Sequence, residues 1–206
     1  MSSLPPKPDF AAIEAAAPKG GGRRMVTLTL IGNLVHCWSN NESLFIYILM
    51  LLMETDEATA AIVFATLNTT RARIDLIERL AKIKVGDKQM EKKLDDIVER
   101  FNDSTRMRNE FNHCMYVLDE RGEITHTNHM RVQEVKGRLQ LGIVRPMDDA
   151  RIRELQNAIR NMTQLNRDIW DFMGVLQKYL ATRPPTRDRA GPEFVTPPLV
   201  RAARER

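Results

Sequence analysis

The chain has 206 residues, 43% apolar and 6% aromatic, which suits one domain with a real core and flexible ends. Its net charge of +4 belongs to those ends: residues 1–24 hold four basic and two acidic side chains, residues 182–206 hold six and three, and the stretch between has 21 basic against 22 acidic. A broad positive face for duplex DNA is therefore excluded, and any nucleic-acid site has to be local, with the arginine-bearing tail adding only a salt-sensitive affinity for phosphates.

In chain order, residues 1–24 carry Pro5, Pro6, Pro8, Pro18 and Gly20-Gly21-Gly22 without a periodic apolar pattern, and read as a disordered leader. They have neither the basic-then-apolar start nor the cleavage pattern of a secretory signal. Two cysteines, Cys37 and Cys114, are too few for a disulfide framework and fit a reducing compartment, so the expected location is cytoplasmic. Residues 25–181 read as one helical domain. A first helix is expected from about Thr27 to Met53, with a break near Ser39-Asn40-Asn41-Glu42, where a serine three residues before a glutamate resembles a capping box. The apolar run Leu44–Met53 is ten residues, half of what spans a bilayer, and reads as buried helix with no membrane contact. His36-Cys37-Trp38, in the same helix, reads as packing.

A second helix is expected over about Glu57–Lys84, with Ile62, Ala65, Thr69, Ala72, Leu76, Leu80 and Ile83 on one seam and Val63, Leu67, Ile74 and Ile77 beside it, a face wide enough for a central helix. Gly86-Asp87 introduces a third, from Met90 to Met115, where Leu94, Ile97, Phe101, Ser104, Arg108, Phe111 and Met115 share one face. Residues of about 117–145 then change period, with an Asp-Glu-Arg-Gly turn and the alternating Glu123–Asn128 stretch, and read as a small antiparallel ribbon. The fourth long helix, Asp148–Leu180, repeats Ile152, Leu155, Ile159, Met162, Asn166, Ile169, Met173, Leu176 and Leu180 in a three-four rhythm. Its one polar position, Asn166, fits either a bundle core or a dimer interface, where an asparagine fixes register. Residues from 182 on, rich in proline and arginine, read as a disordered tail.

The chemistry concentrates in Arg108-Asn109-Glu110-Phe111-Asn112-His113. A guanidinium on an apolar stripe calls for an anionic partner, an interface or a ligand, because it stays charged and is costly to bury alone. His113 brings the side chain that titrates near neutral pH. RNA cleavage without metal needs a proton carrier, a cation on the phosphate and groups that orient both: here His113, Arg108 and Asn109 in turn. Arg108 and His113 are five residues apart, roughly 140° around an ideal helix, so a kink, a helix end before His113 or a site shared by two protomers is needed. Arg106, seven before His113, shares its face and is a candidate phosphate ligand with Asn102; Arg71 could face the same cleft. Glu110 reads as a salt-bridge partner. His126 and His129 point to opposite faces of a strand, and no cofactor loop, zinc spacing or serine-nucleophile motif is present.

An arginine followed by a polar residue and, a few positions on, a histidine, at the end of the third long helix of a small bundle, resembles the signature of the HEPN superfamily. The resemblance covers roughly residues 25–180 and is carried by Arg108, Asn109 and His113. It implies an all-α bundle of four to five helices, here with a β-ribbon inserted before the last. It implies a homodimer with a shared cleft, and metal-independent RNA cleavage in toxin–antitoxin or phage-defence roles, where an antitoxin or other partner protein acts. Two rival readings stand beside it. One is a non-catalytic interaction or RNA-binding module on the same scaffold. The other is a regulatory or structural helical protein with an accidental motif, for which His113 is exposed and Arg108 is paired within its own chain.

Overall fold

The computed structural model describes residues 23–119, 123–135 and 137–182. The expected leader and tail lie outside these residues, except that Arg23, Arg24 and Thr182 are helical. Five helices and three strands follow in order: α1 (Arg23–Met53), α2 (Glu57–Thr66), α3 (Thr70–Lys84), α4 (Lys88–Asn112), β1 (Cys114–Leu118), β2 (Ile124–Val135), β3 (Arg138–Pro146) and α5 (Asp149–Thr182). The architecture is a mostly helical bundle with a small antiparallel sheet between its last two helices, as the change of period announces.

The central element is α1, not the second helix of the sequence reading. Helix α1 packs against each of the other four helices, and Leu34, Trp38, Phe45, Ile48, Leu49 and Leu52 are all buried in the common core. It runs through Ser39–Glu42 without a break. The polar run there makes contacts to other elements instead of a cap: buried Asn41 donates its amide to the Met162 carbonyl at 2.9 Å and accepts from Asn166 Nδ2 at 2.7 Å. Asn166 is thereby explained as a position of the bundle core, since a buried amide must find partners and this pair supplies them.

The expected second helix is two. Helix α2 ends at Thr66, and α3 starts after Thr69, whose hydroxyl accepts from the Ala72 N–H at 3.1 Å as an N-cap. Arg73 Nε donates to the carbonyls of Phe64 and Leu67 at 3.1 and 3.0 Å, satisfying acceptors that the end of α2 leaves free. The expected seam is split with it: Ile62, Ala65, Thr69 and Ile83 are exposed, Ala72, Leu76 and Leu80 are half-buried, and the core-facing line is Ala60, Phe64, Ile74, Ile77 and Ala81, in which Ile74 and Ile77 come from the line expected beside the seam.

Asp87 caps α4 through the N–H groups of Gln89 and Met90 at 2.8 and 2.9 Å, where the Gly86-Asp87 signal placed its start. The expected stripe is buried at Leu94, Ile97, Phe101, Ser104 and Phe111, but the helix stops at Asn112, and Met115 is an exposed strand residue. Tyr116 Oη donates to the Phe111 carbonyl at 2.6 Å and so takes over an acceptor at the helix end, letting the chain turn directly into β1. The sheet has the order β1-β2-β3 and starts three residues earlier than the ribbon read from sequence. Ile124, Thr127 and Met147 are buried at its base, while Val132 and Leu139, towards the β2–β3 turn, are exposed. Among the described residues, no helix is long and apolar enough to cross a membrane.

Candidate functional site at the end of α4

Arg108 faces α1. Its guanidinium carbon lies 3.6 Å from the Trp38 ring centroid, and Nη1 donates to Asn109 Oδ1 at 2.7 Å. Trp38 is itself fixed: it stacks on Phe101 with centroids 5.7 Å apart, and its indole N–H donates at 2.8 Å to Thr105 Oγ1, which donates onward to the Phe101 carbonyl at 2.9 Å. Sequence reasoning treated Trp38 as packing and did not link it to Arg108. A cation–π contact has no local spacing signal, because its two members are brought together by tertiary structure.

The anionic partner expected for Arg108 is not a contact neighbour. Among the described residues no carboxylate makes a salt bridge with it, and its Nε is buried without a hydrogen-bond partner. Burial depresses its pKa, and Glu42 opposes that effect from a distance. Glu42 is otherwise occupied, accepting from Arg73 Nη1 at 3.0 Å and from the Thr70 hydroxyl at 2.6 Å. Arg108 therefore remains a cation held by an aromatic face and a neutral amide, with its charge not cancelled at contact.

His113 is exposed and forms the C-cap of α4, its backbone N–H bonded to the Asn109 carbonyl at 3.0 Å. Because this is still a helical bond to the fourth residue back, His113 keeps its angular separation from the inward-facing Arg108, and no hydrogen bond among the described residues joins the two side chains. Asn102, Arg106, Asn109 and His113, separated by four, three and four residues, lie along one side of α4. Asn102 and Arg106 are exposed and Asn109 is half-buried. Arg106 is engaged by Asp103 at 2.8 Å on this open surface. Asn109 joins the stripe to the inward-facing Arg108. Arg71, by contrast, points to solvent from the start of α3, its side chain 90% exposed and 4.0 Å from Asp75; the inward-facing arginine of that segment is Arg73.

Glu110 is a salt-bridge partner. It accepts from Arg145 of β3 at 3.1 Å and from Arg151, a buried residue of the first turn of α5 that also stacks on the Phe111 ring at 4.6 Å. This cluster ties the end of α4 to the sheet and to α5. It was not foreseen, since Arg151 stands among other charges at a helix start and carries no periodic mark. Cys114 and Tyr116 lie beside it, and burial pushes both of their pKa values up. Among the described residues, no group of three or more His, Cys, Asp or Glu side chains could hold a metal ion. A groove between α4 and α5, lined by Arg100, Ser104, Met107, Met162 and Leu165, contains none of the candidate residues.

The fold and site together define a helical bundle with an inserted antiparallel sheet and a cation–amide–imidazole stretch at a helix end. Comparison with protein-family models, with curated proteins and with solved structures gives no match.

Proposed function

We propose that the end of α4 binds the RNA backbone and that the chain is a HEPN-like, metal-independent endoribonuclease of toxin or defence type, acting in the cytoplasm as a homodimer. The observation that carries this reading is Arg108: a cation seated on Trp38 and Asn109, with no salt bridge to a carboxylate among the described residues, on the helix whose end carries the exposed His113 five residues on. A phosphate would supply the missing anion, and a guanidinium binds it through paired N–H donors.

In the proposed reaction the ribose 2′-oxygen attacks the adjacent phosphorus, the bond from phosphorus to the 5′-oxygen breaks, and the products are a 2′,3′-cyclic phosphate and a free 5′-hydroxyl. His113 takes the proton of the 2′-hydroxyl, the leaving 5′-oxygen takes one from water, and Arg108 neutralises the charge that grows on the phosphoryl oxygens. Asn109 orients Arg108. Arg106 and Asn102 hold flanking phosphates along the open side of α4; Arg71 is left for a longer strand that crosses to α3.

The non-catalytic module is the second reading. It is favoured by the use of Arg108 as a wedge between α1 and α4, while the exposed His113 is what the accidental-motif reading expects. Cleavage of a mixed pool of labelled RNAs in EDTA separates the two. Wild type is expected to cleave and to leave cyclic-phosphate ends, while folded Arg108→Ala and His113→Ala variants lose the activity. No cleavage by wild type over that pool would transfer the assignment to the binding module.

A further inference from the structure

The groove between α4 and α5 has a volume of about 460 Å³, within the range of sites that take one small molecule. Its floor is apolar, with Met162 and Leu165 buried and half-buried Met107 forming a wall. The cation that lines it, Arg100, donates Nη1 to Asp96 at 3.1 Å and Nη2 to Asp168 at 2.6 Å. Two carboxylates thus match its charge, and the groove offers an anion nothing. Asp103, also lining the groove, pairs with Arg106 at 2.8 Å, with the two side chains 61% and 79% exposed. An ion pair so open to water contributes little and is exchanged at little cost. It also joins two surfaces, since Asp103 belongs to the groove and Arg106 to the stripe of α4 that ends at His113.

We infer that this groove is a base subsite for guanine, holding the base of an RNA nucleotide whose phosphate is bound by Arg106. The inference rests on the RNA-binding reading and names the nucleotide that it prefers. An apolar floor suits the face of a planar ring, and the thioether of Met107 is a favourable neighbour for one. Asp103 selects among the bases, because an ionised carboxylate only accepts hydrogen bonds, and does so through two oxygens. Guanine presents two adjacent donors on one edge, N1–H and the N2 amino group, and so meets the carboxylate through two parallel bonds. Adenine and cytosine carry a ring acceptor beside the amino group, and uracil carries one N–H between two carbonyl oxygens. Each of these would set a lone pair against the carboxylate. Guanine O6 and N7 are acceptors, and the exposed amide of Asn161, on the α5 side of the groove, carries a matching donor. When Arg106 turns to the phosphate, Asp103 is released to the base, so one weak surface pair is exchanged for two charge-assisted contacts.

The test is calorimetric titration of the full chain with the 5′-monophosphates of guanosine, adenosine, cytidine and uridine, which requires no turnover. Guanosine monophosphate is expected to bind about tenfold or more tighter than the other three. Asp103→Asn keeps the shape of the side chain but replaces one acceptor by a donor, and should abolish that preference. Arg106→Ala should bring the affinity for guanosine monophosphate down towards that for guanosine. Photocrosslinking with thioguanosine monophosphate should label the α4 and α5 peptides that contain Met107 and Asn161. No binding at millimolar nucleotide, equal affinity for all four, a guanine preference that survives Asp103→Asn, or a crosslink outside the groove would each overturn the proposal. Selective binding by a chain that cleaves no RNA would uphold the subsite and overturn the cleavage reading instead.

Discussion

At the scale of single residues, Arg108 is the position where the sequence asked the right question and the tertiary structure gave another answer. Its place on an apolar stripe correctly demanded a partner, but the partner is an aromatic ring, which a periodic reading of one helix cannot supply. This makes the choice of cation specific. Arg108→Lys keeps the charge but loses the planar stack and the fork, so the RNA cleavage we propose is expected to fall about tenfold or more while the fold is kept. Single-turnover rates of the lysine variant would check this, and an unchanged rate would remove Arg108 from the chemistry. Tyr116 and Cys114 give a second residue-scale prediction. Burial raises both pKa values, so the unfolded chain ionises first as pH rises. The stability they contribute is present below their unfolded pKa values and is lost on the way up to the folded ones. Melting temperature should therefore decline above about pH 9, and Tyr116→Phe should flatten that decline above about pH 10.

Among the elements, the strongest periodic signals were legible: the stripe on α4, the long seam of α5 and the Gly86-Asp87 start. What misled was polarity within α1. Ser39–Glu42 looks like a helix boundary when local spacing is all that is available, yet Asn41 is buried against Met162 and Asn166. The opposite error joined α2 to α3, because the break is enforced by Arg73 reaching back to carbonyls nine and six residues earlier. Both errors have the same cause, which is side chains that satisfy backbone or amide groups in a different element. The Asn41–Asn166 pair should accordingly behave as a coupled unit. Asn41→Ala removes a buried amide and leaves half-buried Asn166 without its acceptor, which should cost about 1 kcal/mol or more in urea unfolding. Replacing both asparagines by leucine should cost less than the sum of the single changes. Additive single effects would mean that the two amides act independently.

For the whole molecule, the sheet is held to the bundle by few groups, and these are concentrated where the candidate site ends. Arg151 is buried between Glu110, Glu154 and the Phe111 ring, and Arg145 brings β3 to the same carboxylate. Removing one member of a buried ion pair leaves the other uncompensated. Arg151→Met should therefore destabilise by about 3 kcal/mol, somewhat less if Arg145 keeps Glu110 neutralised. Amide exchange should quicken in the strands before it does in α1. Equal acceleration throughout would mean that the cluster stabilises the fold globally instead of docking the sheet. Gly142 is a second constraint on that unit: its φ is +86°, and a Cβ there would run into the side chain of Asn128. Gly142→Ala should loosen the ribbon without disturbing α1.

The contact between Arg108 and Trp38 also turns the candidate site into an optical instrument. The chain has two tryptophans, and the other, Trp170, is buried on α5. An indole beneath a guanidinium emits differently from one that the cation has left. An anion that draws Arg108 away from the ring should shift the Trp38 signal, and a chain carrying Trp170→Phe should report that movement alone, in real time and without any label.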